Sequence, residues 1–242
     1  YINNDDIDIV YSILPDTFSQ IDGDNCDYIP QFYVEIPDAS GCVSKSSIGV
    51  TNLLDTIAPI TPVITDVSVD VNGKSVISWL SSLETDYYIV YIEDVNGAWI
   101  TLDTVALGTN SYEFVNSSAF QRVEKFSVRA VDSCGNSRER SLEHNSIFVV
   151  YTSDVCNHSI SLDWNDYINW AIGVSHYKVF LLEIDQYNVS TNTEIRVSFD
   201  TELLIDNINL LSTYTVYIEA YNEDSTFIAI SNILDISIAT AN

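Results

Sequence analysis

The feature that most constrains the fold is a strand pattern that occurs twice. Ile77-Ser78-Trp79 and Leu162-Asp163-Trp164 each end an alternating apolar run on a tryptophan. A second alternating run follows each of them, Phe126-x-Val128-x-Ala130 and Val216-x-Ile218-x-Ala220. Such alternation indicates strands with one buried face. The copies recur 85 (164 − 79) and 90 (220 − 130) residues apart, which is typical of one β-sandwich per repeat.

A third copy of the second run, Phe32-x-Val34-x-Ile36-x-Asp38, lies closer to the N-terminus. Pro59 and Pro62 remove backbone donors and predict an extended connector after it. No amphipathic helical stretch interrupts the strand pattern, so the sequence predicts an all-β protein of tandem β-sandwiches. We expect the C-terminal part of one module at 1–57 and complete modules at 58–152 and 153–242, with Ile147–Tyr151 as the last strand of the middle one.

The first segment holds only the later strands of a module, so one apolar sheet face needs a partner layer. We expect the preceding polypeptide to supply it, because the chain opens in mid-pattern at Tyr1 without a signal peptide, as a piece of a longer exported precursor would. The alternative is that a neighbouring subunit supplies the missing strands.

The charge of the chain excludes several partners. Nine Lys and Arg against 35 Asp and Glu give a formal net charge of −26, which repels nucleic acid and anionic lipid surfaces. The sequence has no run of 18 apolar residues, so it predicts no membrane-spanning segment. The acidity fits Asp and Asn in turns and a soluble surface, with weak divalent-cation binding as the alternative.

Four cysteines, Cys26, Cys42, Cys134 and Cys156, lack the C-x-x-C spacing of zinc or redox sites. An even count in a turn-rich acidic chain favours disulfides and an oxidising compartment. Three pairings are open. Short separation favours Cys26 with Cys42 and Cys134 with Cys156, and free buried thiols are the alternative.

Catalytic signals are weak. His144, His158 and His176 are isolated in sequence, and no G-x-S-x-G elbow marks a nucleophilic serine. We therefore expect no enzymatic activity. We expect no cofactor. Asp22, Asp24 and Asp27 concentrate oxygen ligands that suit a weak calcium site, and turn chemistry is the simpler explanation for them. A second calcium site between modules would use Asp132, Asp154, or Glu223 with Asp224.

Aromatic residues cluster around the second tryptophan strand. Trp164 is predicted to lie in the core. Tyr167 and Trp170 in the following loop are candidates for a ligand surface, because a flat ring matches the apolar face of a sugar. The alternative is that both rings are buried, as in most sandwiches. Trp99 follows a tight turn and is a weaker candidate. Surface glycans are the ligands that such a platform suggests.

The tryptophan strand, together with the alternating run through Tyr214, resembles the fibronectin type III pattern. That resemblance implies tandem immunoglobulin-like sandwiches and a tyrosine corner, in which the Tyr214 hydroxyl bonds the backbone near Ile208. The middle module has Glu124 at the equivalent position and the first has Pro30. Their corners must be built differently.

Several longer segments resemble the gliding-motility-associated, type IX-secreted surface proteins of Bacteroidota. The segments are Ala130-Val131-Asp132-Ser133-Cys134-Gly135-Asn136-Ser137, His144-Asn145-Ser146-Ile147, Leu162-Asp163-Trp164-Asn165-Asp166-Tyr167-Ile168-Asn169-Trp170, Asp38-Ala39-Ser40-Gly41-Cys42-Val43-Ser44 and Val67-Ser68-Val69-Asp70. The resemblance implies export to the cell surface and roles in adhesion, filaments or surface architecture. Asp55-Thr56-Ile57 and Asp103-Thr104-Val105 match the O-glycosylation motif of such proteins, at Thr56 and Thr104.

These observations predict a non-enzymatic, extracellular structural or adhesive segment. Stacked modules would act as a spacer or a filament shaft, with neighbouring modules or neighbouring subunits as partners. The alternative is a carbohydrate- or protein-binding accessory module of a secreted enzyme.

Overall fold

The computed structural model describes residues 26–28, 31–33, 35–37, 39–50, 53–187 and 189–238. These residues form strands and turns and contain no helix, so none of them belongs to a helix able to cross a membrane. The chain divides into two compact units, which are described separately: Tyr1–Ala58 with Ser133–Asn136, and Pro59–Asp132 with Ser137–Asn242.

The first unit contains a long β-hairpin. Its strands pair in nested order, β1 with β6, β2 with β5 and β3 with β4, all antiparallel. They are β1 (Asp27–Tyr28), β2 (Gln31–Phe32), β3 (Glu35–Pro37), β4 (Val43–Lys45), β5 (Gly49–Val50) and β6 (Leu53–Leu54). Phe32 and Ile36 of the predicted third run lie in β2 and β3, and Val34 and Asp38 lie outside the described residues.

The second unit begins with a sandwich of seven described strands. One sheet has the order β11-β8-β7 and the other β10-β9-β12-β13. The strands are β7 (Ile64–Val69), β8 (Ser75–Trp79), β9 (Tyr87–Glu93), β10 (Trp99–Ala106), β11 (Ser111–Glu113), β12 (Lys125–Val131) and β13 (His144–Asn145). We refer to it as the first sandwich.

The second sandwich repeats this arrangement. One sheet has the order β14-β15-β18 and the other β17-β16-β19-β20, with β21 also pairing with β19. The strands are β14 (Val149–Asp154), β15 (Ser159–Trp164), β16 (Val174–Ile184), β17 (Ser190–Ser198), β18 (Glu202–Asp206), β19 (Thr213–Asn222), β20 (Ile228–Ile230) and β21 (Leu234–Ser237). The predicted all-β class and tandem immunoglobulin-like sandwiches are confirmed.

One strand assignment from the sequence is wrong. Ile147–Tyr151 was expected to complete the middle module, but β14 pairs with β15 along its whole length, from Val149 opposite Trp164 to Asp154 opposite Ser159. It therefore opens the second sandwich, and it runs across the expected boundary between residues 152 and 153. An alternating run specifies a strand but not which of two neighbouring sheets it joins.

Each core is built around an aromatic pair with the same geometry in both sandwiches. Trp79 and Trp164 are buried, and a tyrosine of the next strand packs edge-on against each, Tyr88 at 5.3 Å and Tyr177 at 5.4 Å between ring centroids. The tyrosine hydroxyl accepts the backbone N–H three residues after the tryptophan, from Ser82 and from Tyr167 respectively. The tyrosine thus satisfies a loop donor while filling the core.

The corners differ between the sandwiches, as the sequence indicates. The Tyr214 hydroxyl accepts the N–H of Asn209 at 2.7 Å and donates to the Asn209 carbonyl at 3.1 Å. In the first sandwich, the buried carboxylate of Glu124 accepts the hydroxyls of Ser75 and Ser117 and the N–H of Ser118 at 2.7–2.8 Å. In the first sandwich, the Glu124 carboxylate, which accepts three hydrogen bonds, therefore takes the place that the Tyr214 hydroxyl has in the second.

Candidate functional site

The joint between the two sandwiches of the second unit is a network of hydrogen bonds between buried side chains and backbone groups. The loop between β15 and β16 carries Tyr167 and Trp170, which are only 4% and 6% exposed. The prediction that these two rings form a ligand surface is wrong, because both are covered by the first sandwich. Their rings pack on each other with centroids 4.2 Å apart.

Tyr167 and Trp170 are fixed by hydrogen bonds to the first sandwich. The Trp170 indole N–H donates to the Thr65 carbonyl at 2.7 Å. The Tyr167 hydroxyl accepts the N–H of Val67 and lies 3.0 Å from Nδ1 of His144. Since the hydroxyl oxygen accepts from Val67, its hydrogen is available to His144, and we assign the neutral Nε2–H tautomer to that imidazole.

Burial controls the ionisation of the joint. It lowers the pKa of His144 to about 4, because an imidazolium here would lose its hydration. Burial, aided by the charge of Asp66, raises the pKa of Tyr167 well above its usual value. Burial also raises the pKa of Asp66, against hydrogen bonds from Ser68 and Thr65 that lower it. His144 and Tyr167 are therefore neutral at physiological pH.

Asparagine side chains extend the joint by bonding backbone groups on both sides. Asn145 donates to the Asp166 carbonyl and accepts the N–H of Ile168. Within the second sandwich, beside the joint, Asn232 accepts the N–H of Val149 and donates to the Val149 carbonyl. The Asn169 amide donates to the Glu143 carbonyl at 2.7 Å. Asn145 and Asn232 use both the donor and the acceptor of the amide, so these bonds fix the orientation of the amide as well as its position.

A cleft of about 740 Å³ opens beside the joint. Its walls are mainly apolar, with Leu142, Ile172 and Phe227 prominent, and Glu223 and Asp224 lie at its edge. The Asp224 carboxylate accepts the hydroxyl and N–H of Thr226 in its own turn. His144 and Ser141 also line the cleft, and the His144 ring is bonded to the Tyr167 hydroxyl.

The histidines do not form a catalytic arrangement. His144 is bonded to Tyr167, and His176 stacks on Tyr221 with 4.9 Å between centroids and lies 3.3 Å from the adjacent Ser175 hydroxyl. His158 occupies a turn with a positive φ of 52°. No histidine of the described ranges has both a nucleophile and a carboxylate within hydrogen-bonding distance, as a triad requires.

A cluster of arginines and aromatic rings, which the sequence analysis missed, lies on the outer face of the sheet containing β9 and β12. Arg129 and Arg140 both lie over the Tyr91 ring, at 5.6 and 5.8 Å, and Arg140 also lies 4.4 Å from Trp99. Neither guanidinium forms an ion pair within the described ranges, and Nε of Arg129 is buried without a hydrogen-bond partner there. Only the alternation of β9 and β12 could have indicated this cluster.

The disulfide differs from the expected pairs. Cys26 is bonded to Cys134, 108 residues away, with 4.8 Å between the Cα atoms. The predicted Cys26–Cys42 and Cys134–Cys156 pairs are therefore wrong, and Cys42 and Cys156 are exposed cysteines outside this bond. The expectation of short loops failed because loop length determines only the entropy of closing the loop. The fold determines which cysteines lie close enough to form a bond.

The predicted calcium ligands fall mainly outside the described residues. Asp22 and Asp24 lie there, and only the backbone of Asp27 is described. For the second predicted site, Asp154 accepts the N–H groups of Cys156 and Asn157 in its own turn. Within the described part of the chain, no group of three or more His, Cys, Asp or Glu side chains is arranged to hold a metal ion.

The two threonines of the glycosylation motif are exposed. Thr56 follows Asp55, whose carboxylate accepts the N–H of Ile57. Thr104 lies on β10, and its N–H donates to the Asp103 carboxylate. Both hydroxyls are accessible to a modifying enzyme.

Comparisons with known proteins give little further identification. No protein-family model and no curated protein matches the chain. Among solved structures, the crystal structure of the FN1–FN3 domains of chicken CNTN1 matches at 15% identity, covering 87% of this chain and 78% of that one, with a TM-score of 0.31. A TM-score this low carries no argument, so the immunoglobulin-like assignment stands on the strand order of the two sandwiches.

Proposed function

We propose that this chain is a stiff, non-enzymatic spacer segment of a secreted bacterial surface protein. The observation that carries the proposal is the joint, where the loop after β15 is buried against β7 and bonded to it through Tyr167 and Trp170. A flexible linker between modules would leave such groups in water. Buried hydrogen bonds across the joint instead hold two sandwiches as one rod.

The wider setting of the proposal comes from the sequence. The resemblance to gliding-motility-associated, type IX-secreted proteins of Bacteroidota suggests a cell-surface location. The chain would contribute one partial module and two complete modules, the second of which opens with β14. The Cys26–Cys134 bond supports an oxidising, extracellular compartment. The surface charge of −26 supports solubility for a long array. Glycans on Thr56 and Thr104 would protect exposed segments from proteases.

Relaxation of backbone ¹⁵N nuclei in the full chain tests the stiffness. We expect amides of β12 and β19 to report one common rotational correlation time and one rotational diffusion tensor. A double variant, Tyr167→Ala with Trp170→Ala, should separate the two tensors. A matched control, Tyr187→Ala, removes an exposed ring on the same sandwich and should change nothing. Two independent tensors in the unmodified chain would reject the spacer proposal.

A binding role is the second candidate, and the arginine–aromatic cluster is the observation that favours it. Two guanidinium groups without ion pairs are unusual in a chain with nine Lys and Arg against 35 Asp and Glu. Guanidinium edges bind carboxylates in bidentate geometry. The ligand suggested is therefore a carboxylated sugar polymer at the cell surface.

Oligogalacturonate is a suitable probe, and neutral galactan its control. Binding at Trp99 should change tryptophan fluorescence, since Trp79, Trp164 and Trp170 are buried. Arg140→Gln should abolish the change, whereas Arg196→Gln, which removes a cation paired with Glu194, should preserve it. Equal responses to both polymers, or none to either, would reject the binding role.

A further inference from the structure

The strand β17 is an open edge of the second sandwich. It spans Ser190–Ser198 and pairs only with β16 among the described strands, so its other side lies at the end of the sheet. Edge strands present unpaired N–H and C=O groups to any strand that approaches. Natural edges are usually protected by proline, lysine or a bulge, and the sequence from 190 to 198 contains neither proline nor lysine. Each edge strand carries one register irregularity, between Thr101 and Asp103 in β10 and between positions 190 and 192 in β17, opposite Ile184 and Glu183. The segment of β17 from 192 to 198 lies beyond that irregularity and pairs regularly with β16.

The sequence of β17 is self-complementary about Ile195. If two copies of this strand align antiparallel with Ile195 opposite Ile195, each Glu194 faces the Arg196 of the other copy. The same register places Val197 opposite position 193. The alignment creates two reciprocal pairs of opposite charge, which stabilise neighbouring strands. Shifting the register by two residues along the strand destroys both pairs.

Glu194 and Arg196 are already held on one face of the strand. Nε of Arg196 lies 2.9 Å from Oε1 of Glu194, and Nη2 lies 3.3 Å from Oε2. Both side chains are accessible, with 52% of Glu194 and 32% of Arg196 exposed. Two such pairs brought together across a two-fold axis alternate in sign, so every charge has opposite charges as its nearest neighbours.

The opposite face of β17 is apolar and exposed. Ile195 and Val197 are 55% and 54% exposed, although they stand beside Phe180 and Lys178 of β16 in the register of the sheet. Phe180 stacks on Tyr217 with 4.6 Å between ring centroids, which extends the apolar surface onto β19. Exposed apolar side chains in a row at a sheet edge mark an interaction surface.

We propose that two copies of the chain pair through β17, antiparallel and centred on Ile195, so that two sheets become one continuous sheet across a two-fold axis. The occupant is a second copy, because an identical strand aligned antiparallel satisfies Glu194 and Arg196 on both chains at once. The two acidic molecules repel each other over long distances. At about 0.15 M salt, that repulsion is screened beyond roughly 8 Å, whereas pairs in contact are screened less. The dimer is independent of the spacer role, since it uses an edge far in sequence from the joint residues of β7.

Charge exchange at positions 194 and 196 tests the pairing. The full chain should sediment as a concentration-dependent dimer. Glu194→Arg alone and Arg196→Glu alone should each weaken dimerisation by roughly tenfold or more, because both reciprocal pairs become repulsive. Mixing these two variants should restore a dimer that contains one of each. Ile100→Lys, which changes a similarly exposed isoleucine on β10, should leave the dimer intact.

Cross-linking tests the register. In a chain carrying Cys42→Ser and Cys156→Ser, Ile195→Cys places two sulfurs at the two-fold axis, where paired Cα atoms lie about 4.5–5.5 Å apart and can form a disulfide. Val197→Cys separates the two cysteines by roughly 14 Å along the strands. Oxidised glutathione should therefore link the first variant and not the second.

Four results would overturn the proposal. The first three are a monomer at all concentrations, a dimer that neither single charge variant weakens, and equal cross-linking at positions 195 and 197. A mixture of the two charge variants that fails to form the mixed dimer would likewise contradict pairing through β17.

Discussion

Glu124 and Tyr214 occupy equivalent places in the two sandwiches, 90 residues apart (214 − 124), and satisfy nearby backbone and side-chain groups by different chemistry. Tyr214 exchanges two hydrogen bonds with one residue, Asn209. Glu124 gathers donors from Ser75, Ser117 and Ser118. The carboxylate corner therefore concentrates more buried hydrogen bonding in one side chain than the tyrosine corner does.

Removing these two side-chain functions should have unequal effects. Glu124→Ala leaves two buried hydroxyls and one partly buried N–H without their acceptor and should lower the free energy of unfolding by about 3 kcal/mol. Tyr214→Phe removes one hydroxyl and should cost about 1–1.5 kcal/mol. Urea unfolding followed by circular dichroism measures both. Glu124→Gln keeps an acceptor and serves as the control, and an effect of Glu124→Gln equal to that of Glu124→Ala would show that the hydrogen bonds contribute little.

His144 should make stability depend on pH in a defined window. Its pKa is about 4 in the folded chain and near 6.5 when unfolded, so the unfolded state binds more protons between these values. Stability should therefore rise with pH across this window by up to about 3 kcal/mol and level off above it. The raised pKa of Asp66 acts in the opposite direction just above 3.8.

Comparison with His144→Gln isolates the histidine contribution, because glutamine offers Tyr167 an acceptor and does not titrate. The difference in unfolding free energy between the two proteins should change with pH only between about 4 and 6.5. A pH-independent difference would mean that the imidazole is already protonated or remains solvated at the joint.

At the scale of strands, the two sandwiches share a hydrogen-bond arrangement of a buried serine, which the pattern of apolar residues does not reveal. Ser141 and Ser231 each accept a buried N–H of the neighbouring strand, from Val128 at 3.0 Å and from Ile218 at 2.8 Å. Each also donates its own backbone N–H to the carbonyl of that same residue. The serine side chain replaces a carbonyl at the point where the edge segment leaves regular pairing.

Ser141→Ala and Ser231→Ala should destabilise the chain by similar amounts, about 1–2 kcal/mol each, because each leaves one buried N–H without an acceptor. Ser175→Ala, at an exposed position on β16, should change stability little. Thermal unfolding of the three variants gives the comparison. A large effect at only one of the two buried serines would show that the bond geometry is not equivalent in solution.

The strands themselves were largely predictable, and their partners were not. Alternation identified the strands that carry Trp79 and Trp164, because burial of one face leaves a period of two in the sequence. It could not assign β14 to its sheet. Alternation also could not predict that Tyr167 and Trp170 are buried, since the groups that bond them, Val67 and Thr65, lie 100 and 105 residues earlier. Loop aromatic residues carry no local signal of a neighbouring sandwich.

At the scale of the whole molecule, the Cys26–Cys134 bond closes the longest covalent loop in the described chain. With a separation of 108 residues, the chain-entropy account assigns it about 5 kcal/mol of stabilisation relative to the reduced, unfolded chain. We expect the described hairpin of the first unit to gain stability from this bond, because a two-stranded hairpin by itself is only marginally stable in water. Sequence alone left this pairing among three alternatives.

Trypsin offers a specific test, because Lys45 is the only Lys or Arg among the first 58 residues. In the oxidised protein, Lys45 lies at the end of β4 with its amine 4.9 Å from the Tyr33 ring, and cleavage should be slow. Any fragment cut there should remain attached through Cys26 until a reductant is added, which mass spectrometry detects. Reduction should accelerate cleavage at Lys45 by roughly tenfold or more, since local opening costs less once the loop constraint is lost. Cys156→Ser, which leaves the disulfide in place, should cleave at the rate of the unmodified protein. A rate unchanged by reduction would show that the hairpin is stable without its covalent link.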